Sequence, residues 1–307
     1  MLRYAILRIF GAIPTLLLVI ALAFLMVHAA PGGPFDAERM LSPEVEANIA
    51  RAYHLDESLP QQFVRYVRGL LRGDLGPSYV YLDRNVSEVI SRALPVSMQL
   101  GVLAMLLAIV VGIAAGLTAA LSKNSFIDRF VTGIAMTGIS VPVFVVAPVM
   151  VLVFAVYLNW FPASWTGGGG VSRLILPVVV LALPQIAYIA RLTRASMIGV
   201  LSSDYVRTAR AQGLRTSSII RYHALKPAML PLVSYMGPAI AGILTGSVVV
   251  EQVFGIPGLG QFFVTGALNR DYTLVLGIVI LYAALVIGLN LIVDLLYGIL
   301  DPRIGGR

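Results

Sequence analysis

The chain has no cysteine, two lysines and three histidines among its 307 residues, and only 12% of it is charged. Without cysteine there is no disulfide framework, no thiolate nucleophile and no Cys-ligated metal. The histidines, His28, His54 and His223, are far apart, and neither an H-E-x-x-H zinc arrangement nor a G-x-S-x-G elbow occurs. A phosphate-binding P-loop needs Gly-Lys-Ser/Thr. Lys123 follows Ser122 and Lys226 follows Leu225, so neither lysine supplies it. An enzyme reading fails on this inventory, no metal or cofactor is expected on the chain, and any uphill work must be powered by a partner. Soluble domains carry about 25% charged residues. Half that share, beside 58% hydrophobic residues, makes this an integral membrane protein. The net charge of +7 fits loops on one side of a bilayer rather than nucleic acid. No basic cluster interleaved with aromatics lies away from the membrane flanks.

Apolar runs predict an all-α protein with six transmembrane helices, at about 9–28, 97–121, 130–158, 172–190, 228–250 and 274–299. Each is near the ~20 residues a helix needs to cross. The first follows Arg3 and Arg8 and exceeds the ~7–15 residues of a signal h-region, so residues 1–28 read as an uncleaved signal anchor rather than a cleaved peptide. Pro142 and Pro148 predict a kink in the third span. Pro177 and Pro184 in the fourth need neighbours to satisfy the freed carbonyls. Gly112-xxx-Gly116 and Gly242-xxx-Gly246 fit close helix packing.

Lys and Arg set the orientation. With the N-terminus cytoplasmic, the inner side holds Arg3, Arg8, Lys123, Arg129, a strongly basic stretch before the fifth span, Arg303 and Arg307. The two short outer loops hold only Arg173 and Arg270. Both termini are therefore expected in the cytoplasm, the tail being 300–307. The long outer segment, 29–96, reads as helical. Ser42-Pro43-Glu44 opens one helix, and Pro60 a second, with Phe63, Val67, Leu70 and Leu71 on one face and Gly73 as its stop. A third, carrying Val86, Val89, Ile90 and Leu94, feeds the second span. Packed connector and docking surface are equal readings of this segment.

The outer loop 251–273 is Gly-rich and aromatic, and reads as a re-entrant hairpin at the external mouth, with Phe254, Pro257, Gly258 and Gly260 as gate residues. Ser234, Tyr235, Thr245 and Ser247 are candidates for the lining of a path through the bundle. Asp294, with Asn290 a turn before it, is the acid placed well inside a span; two turns from the cytoplasmic end at Asp301-Pro302, it reads first as structural.

The most informative stretch is polar and basic, from Arg191 to Pro227. It carries Arg191, Arg194, Arg207, Arg210, Arg215, Arg221 and Lys226 against one acid, Asp204. A central Arg costs at least ~2.5 kcal/mol in hydrocarbon, so the stretch must enter water. The spacing predicts a helix over about 204–211 stopped by Gly213, and a second from Ser217 or Ser218 to Pro227. Charge alone describes a solvated loop as well as a knob.

The segment from Arg207 to Pro227, RTARAQGLRTSSIIRYHALKP, resembles the coupling loop of binding-protein-dependent ABC importer permeases. Their pattern is Glu-Ala-Ala, three residues, Gly, nine residues, Ile-x-Leu-Pro. Anchored on Gly213, the first positions are Arg207, Thr208 and Ala209, and the last are His223, Ala224, Leu225 and Lys226, with Pro227 one place late. The family's Glu is Arg207 here, a departure. A-P-G-G-P (Ala30 to Pro34), G-D-L-G (Gly73 to Gly76), V-F-G-I-P-G-L-G (Val253 to Gly260) and R-D-Y (Arg270 to Tyr272) resemble the peptide-transporting branch, and S-P-E-V-E-A-N-I and Y-M-G-P-A its oligopeptide members. The resemblance implies a type I importer permease fold with a five-helix core over 97–299, set in the bacterial inner membrane. It implies a homologous second permease subunit, two ABC ATPase subunits that hold ATP and Mg, an external peptide-binding protein, and peptide as cargo. Dipeptides or a nickel chelate are the alternative cargo, and a stand-alone channel or carrier the remote alternative. It also implies contact with an ATPase through Arg207, Thr208, Ala209, Arg210, Gly213, Leu214, His223 and Leu225 within the loop 191–227.

Overall fold

The structure, a computed structural model, describes residues 2–29, 48, 51, 54, 56–81, 83–167 and 170–300. Among them the regular elements are helices, beside one isolated backbone bridge between Pro77 and Asn85. Beside a 3-10 turn at Trp165–Gly167, these are in order α1 (Leu2–Ala29), α2 (Leu59–Leu71), α3 (Val86–Leu121), α4 (Phe126–Ser140), α5 (Val143–Tyr157), α6 (Ser172–Leu201), α7 (Asp204–Ala211), α8 (Thr216–Phe254), α9 (Leu259–Leu268) and α10 (Tyr272–Leu300). Five are long and apolar enough to cross a membrane, with a sixth span if α4 and α5 count as one. All six expected runs return as helices. Much of their outward surface is apolar, with Phe10, Val110 and Phe126 exposed, as lipid-facing surfaces are.

The kink expected in the third span is a full break of 104° between α4 and α5. Val141 is extended (φ −88°, ψ 120°), the conformation a residue before proline prefers, and Pro142 caps α5. In α6, Pro177 and Pro184 stay inside an unbroken helix. That helix is the centre of the bundle, packed by α3, α4, α5 and α8, so neighbours hold it where hydrogen bonds are lost.

Small residues make the central contact. Ala104, Ala108, Gly112 and Gly116 recur every fourth position on α3, and all are buried. A Cβ on Gly112 would lie 2.7 Å from Ile189 Cγ2, and one on Gly116 2.5 Å from the Ala190 carbonyl of α6. Apolar burial cannot drive helices together in lipid, whereas close van der Waals contact can. Gly242 does not pack this way. It is exposed, and the nearest atom to its missing Cβ is Gln185 Nε2 at 4.0 Å.

The boundary expected at 96/97 falls inside α3, a single 36-residue helix with Pro95 within it. Val86, Val89 and Ile90 are buried with Leu259, Leu274 and Ile278, so its first turns already belong to the bundle. α2 starts and stops as expected. The Ser58 amide donates to the Gln61 side chain at 3.2 Å, Pro60 lies in the first turn, and Gly73 follows the end at φ +77°. Phe63, Val67 and Leu70 are half-buried, but Leu71 is 83% exposed. It sits about 100° round the helix from Leu70, and Tyr66 takes the inner place. Burial pushes the Tyr66 phenol far above its ordinary value. Ser42-Pro43-Glu44, the Ala30–Pro34 block and residues 301–307 lie outside the described residues.

Candidate functional site

The expected helix over 204–211 is α7. Val206 and Ala209 bury against Ile219 of α8, which fixes the knob to the bundle. At its end Gly213 adopts φ +80°; its amide donates to Arg210 O at 2.9 Å, and the Leu214 amide to Ala209 O at 3.2 Å. This is a Schellman closure, for which glycine is preferred. Nothing lies within 4 Å of the missing Cβ, so the requirement is backbone angle, not space. Arg207, Thr208, Arg210, Gly213 and Leu214 form the exposed surface of the knob. Arg207 reaches Asp204 at 3.3 Å, and the Thr208 hydroxyl donates to Asp204 O at 3.0 Å. Ala209 is 4% exposed and turns inward. Leu225 packs with Met197, Ala224 and Ala228, and His223 is half-buried. Ala209 thus seats the knob, whereas Leu225 packs within the bundle against α6.

The second short helix is not separate. α8 starts at Thr216, with Arg215 rather than a serine in the cap position, and runs on past Pro227. Pro227 cannot donate to the His223 carbonyl, and the chain passes it through the widened Ile219–Ala224 turn instead of ending. Likewise Arg191 and Arg194 belong to α6 and not to a loop.

Three polar contacts were not foreseen. Arg194 grips Asp128 of α4 with two bonds, at 2.5 and 2.8 Å, and Asp128 is 3% exposed. The Asn124 amide and Thr132 hydroxyl also donate to it, at 2.9 and 3.5 Å. At the opposite end of α8, Glu251 is fully buried and accepts from Ser97 Oγ at 2.7 Å and from Gly260 N at 2.6 Å. Ser97 Oγ in turn accepts from Leu259 N at 2.8 Å. These two side chains cap α9, whose N-cap Gly258 has none. Finally, Asp271 accepts from Leu274 N and Thr273 Oγ1, both at 3.1 Å, from Val80 N at 3.2 Å and from Ser78 Oγ, tying the 77–81 loop to α10. Burial first, then the Asp271 charge, push the nearby Tyr81 phenol up. In the sequence the signal for the second contact is an acid, Glu251, at the edge of a Gly-rich run, whereas the acid placed well inside a span is Asp294. The side chain of Asp294 lies outside the described residues; Asn290 packs on Gly237.

The gate candidates split. Phe254 is 1% exposed and part of the core, whereas Pro257 is exposed. Gly258 and Gly260 are buried, and a Cβ on either would run into the Glu251 carboxylate. The hairpin folds on Gly255 at φ +62°, and α9, ten residues or about 15 Å long, is half a membrane crossing.

The path candidates split too. Ser247 is fully buried and donates to Leu244 O, so it faces the core. Ser234 is exposed, and half-buried Tyr235 donates to Gln185 Oε1 at 2.7 Å while stacking on Tyr188, centroids 5.7 Å apart. The Thr245 side chain lies outside the described residues. In the second half of α6 the open stripe is Tyr188, Arg191, Ala195 and Gly199; on α8 it is Pro231, Ser234, Pro238 and Gly242. Neither stripe is lipid-like, in contrast to α1 or α4. Among the described residues no three His, Asp or Glu side chains converge as metal ligands.

Residues 108–306 match the family model described as the inner membrane component of binding-protein-dependent transport systems, and residues 1–101 match the model of the N-terminal part of such membrane components. The chain is 51% identical to the oligopeptide transport system permease protein OppB of Escherichia coli K12, over 99% of both chains. It is 40% identical to the dipeptide transport system permease protein DppB of Bacillus subtilis, over 99% of this chain and 98% of the other. Its fold is similar to the inward-facing MetNI methionine ABC transporter, with TM-score 0.59, 19% identity and coverage of 69% of this chain and 96% of that one. Knob, six-span bundle and both family matches agree: this chain belongs to the binding-protein-dependent transport system inner membrane components, and its fold is that of a type I ABC importer permease.

Proposed function

We propose that the chain is the membrane subunit through which oligopeptides enter the cell, driven by ABC ATPase subunits and fed by an external peptide-binding protein. The observation that carries this is full-length identity of 51% to an oligopeptide permease. ATP and Mg stay on the ATPases. A homologous second permease subunit completes the path, both termini are cytoplasmic, and the membrane is the bacterial inner one.

In this reading α7 is the point of attachment. Its exposed Arg207, Thr208, Arg210 and Leu214 meet an ATPase cleft, while buried Val206 and Ala209 pass displacement to Ile219. ATPases that bind the two states of the bundle with different affinity are all the cycle requires. The polar stripes of α6 and α8 face the second subunit across the cargo path, since proline, serine, glycine and arginine gain nothing from lipid. The α8–α9 hairpin closes the outer end.

The test is reconstitution of the chain with its partner subunits. Uptake of labelled oligopeptide should require ATP, the binding protein and both permeases. Flux through the purified chain alone would overturn the reading. The dipeptide relative favours a second reading, in which dipeptides are the cargo. Competition between di- and pentapeptides in the same vesicles decides between them.

A further inference from the structure

Two arginines one turn apart on α6 have opposite fates. Arg194 is neutralised by Asp128. Arg191 is exposed, and its contact among the described residues is the face of Tyr188, 5.1 Å from guanidinium to ring centre. Among the described residues no acid pairs with Arg191, and an ionisable group in a spanning helix is by default a candidate for function. Its surroundings are built rather than loose. Tyr188 stacks on Tyr235, and Tyr235 holds the Gln185 oxygen at 2.7 Å. That bond turns the Gln185 carbonyl toward Tyr235 and leaves its two amide hydrogens to donate elsewhere.

We propose that this ladder is a peptide-binding subsite in which Arg191 takes the cargo's C-terminal carboxylate and Gln185 a backbone carbonyl upstream. It rests on the reading that the α6 and α8 stripes line the path. Gln185 and Arg191 are six residues apart on a helix, about 9 Å along its axis, close to the span of three extended residues. Guanidinium and carboxylate form a charge-assisted pair of matched geometry. The flat faces of Tyr188 and Tyr235 offer apolar contact without demanding a particular side chain. The groups recognised, a terminus and a main-chain carbonyl, are common to all linear peptides. A carrier of varied sequences needs that indifference.

The test uses the assembled transporter in vesicles, with one pentapeptide as free acid and as C-terminal amide, each at a concentration that saturates the binding protein. The acid should be taken up faster by about tenfold, the size of one charge-assisted bond. Arg191→Gln should bring the ratio below about twofold, and Arg191→Lys should keep most of it. A wild-type ratio near one, or an unchanged ratio in Arg191→Gln, overturns the subsite. The chain has no native cysteine, so Gly242→Cys in the same complex reports on the path itself. Labelling blocked by transported peptide, beside an unchanged ratio, leaves the path standing and removes the carboxylate site. Unprotected labelling, or none, removes both.

Discussion

Ser97 and Glu251 lie on different helices, 154 positions apart, and share a hydrogen bond of 2.7 Å inside the bundle. Together they end the amide row of a third helix, because Ser97 also accepts from Leu259 and Glu251 from Gly260. Three segments therefore meet at one carboxylate.

Ser97→Ala should leave Leu259 N unpaired and remove one donor from Glu251 in a buried place, at about 1–3 kcal/mol. The expected outcome is a lower unfolding midpoint of the purified complex and faster cleavage in the 255–260 turn. Gly260→Ala should be worse, since its Cβ meets the Val248 backbone.

Gly116→Ala should overpack the α3–α6 seam at a cost of about 1–3 kcal/mol, because the obstacle is the Ala190 carbonyl, which cannot swing away. Gly133→Ala, at an exposed glycine with nothing within 4 Å, is the matched control and should leave the midpoint unchanged. Equal midpoints for both would contradict the seam.

Gly213→Ala should strain the Schellman closure by about 1 kcal/mol, and Gly213→Asn by less. Both leave the knob's exposed side chains in place, so the reading is a graded loss of peptide-stimulated ATPase activity. Gly213→Glu adds bulk and charge at the proposed attachment, and should abolish both that stimulation and co-purification with the ATPase.

Asp128→Arg or Arg194→Asp should each set like charges face to face at the α4–α6 contact and sharply reduce uptake. The double exchange should recover part of it. Failure of the double exchange to exceed either single variant would show that the pair is not a unit.

Single cysteines at Ser234 and Gly242 should react with a small water-soluble thiol reagent, and one at Ser247 should not. Ser234 is exposed on the α8 stripe, and Ser247 is fully buried on the opposite face. Reaction at all three positions would dissolve the distinction between stripe and core.

The spans were legible because a membrane demands long apolar runs, and the knob because Gly213 is punctuation with a fixed meaning. Breaks and continuities were not. Pro142 ends a helix while Pro177 and Pro184 do not; the difference lies in what surrounds each proline, which no local window contains. The same holds for Asp128, Glu251 and Asp271. Each is an ordinary acid in its own segment, and its role depends on Arg194, Ser97 or Ser78 arriving from far along the chain. Which face of α8 opens outward also escaped the sequence, so Ser234 and Ser247 looked alike.

α8 runs 39 residues without interruption, about 58 Å, from beside the knob to the glycine turn. It is a single strut, anchored near one end at Ile219 and near the other at Glu251. No loop lies between those anchors to take up slack. A stroke delivered at one end must then either reach the far hairpin or be spent as bending at the π turn and at Pro227, Pro231 and Pro238. In the proposed coupling, the compliance of this strut is set by those few joints.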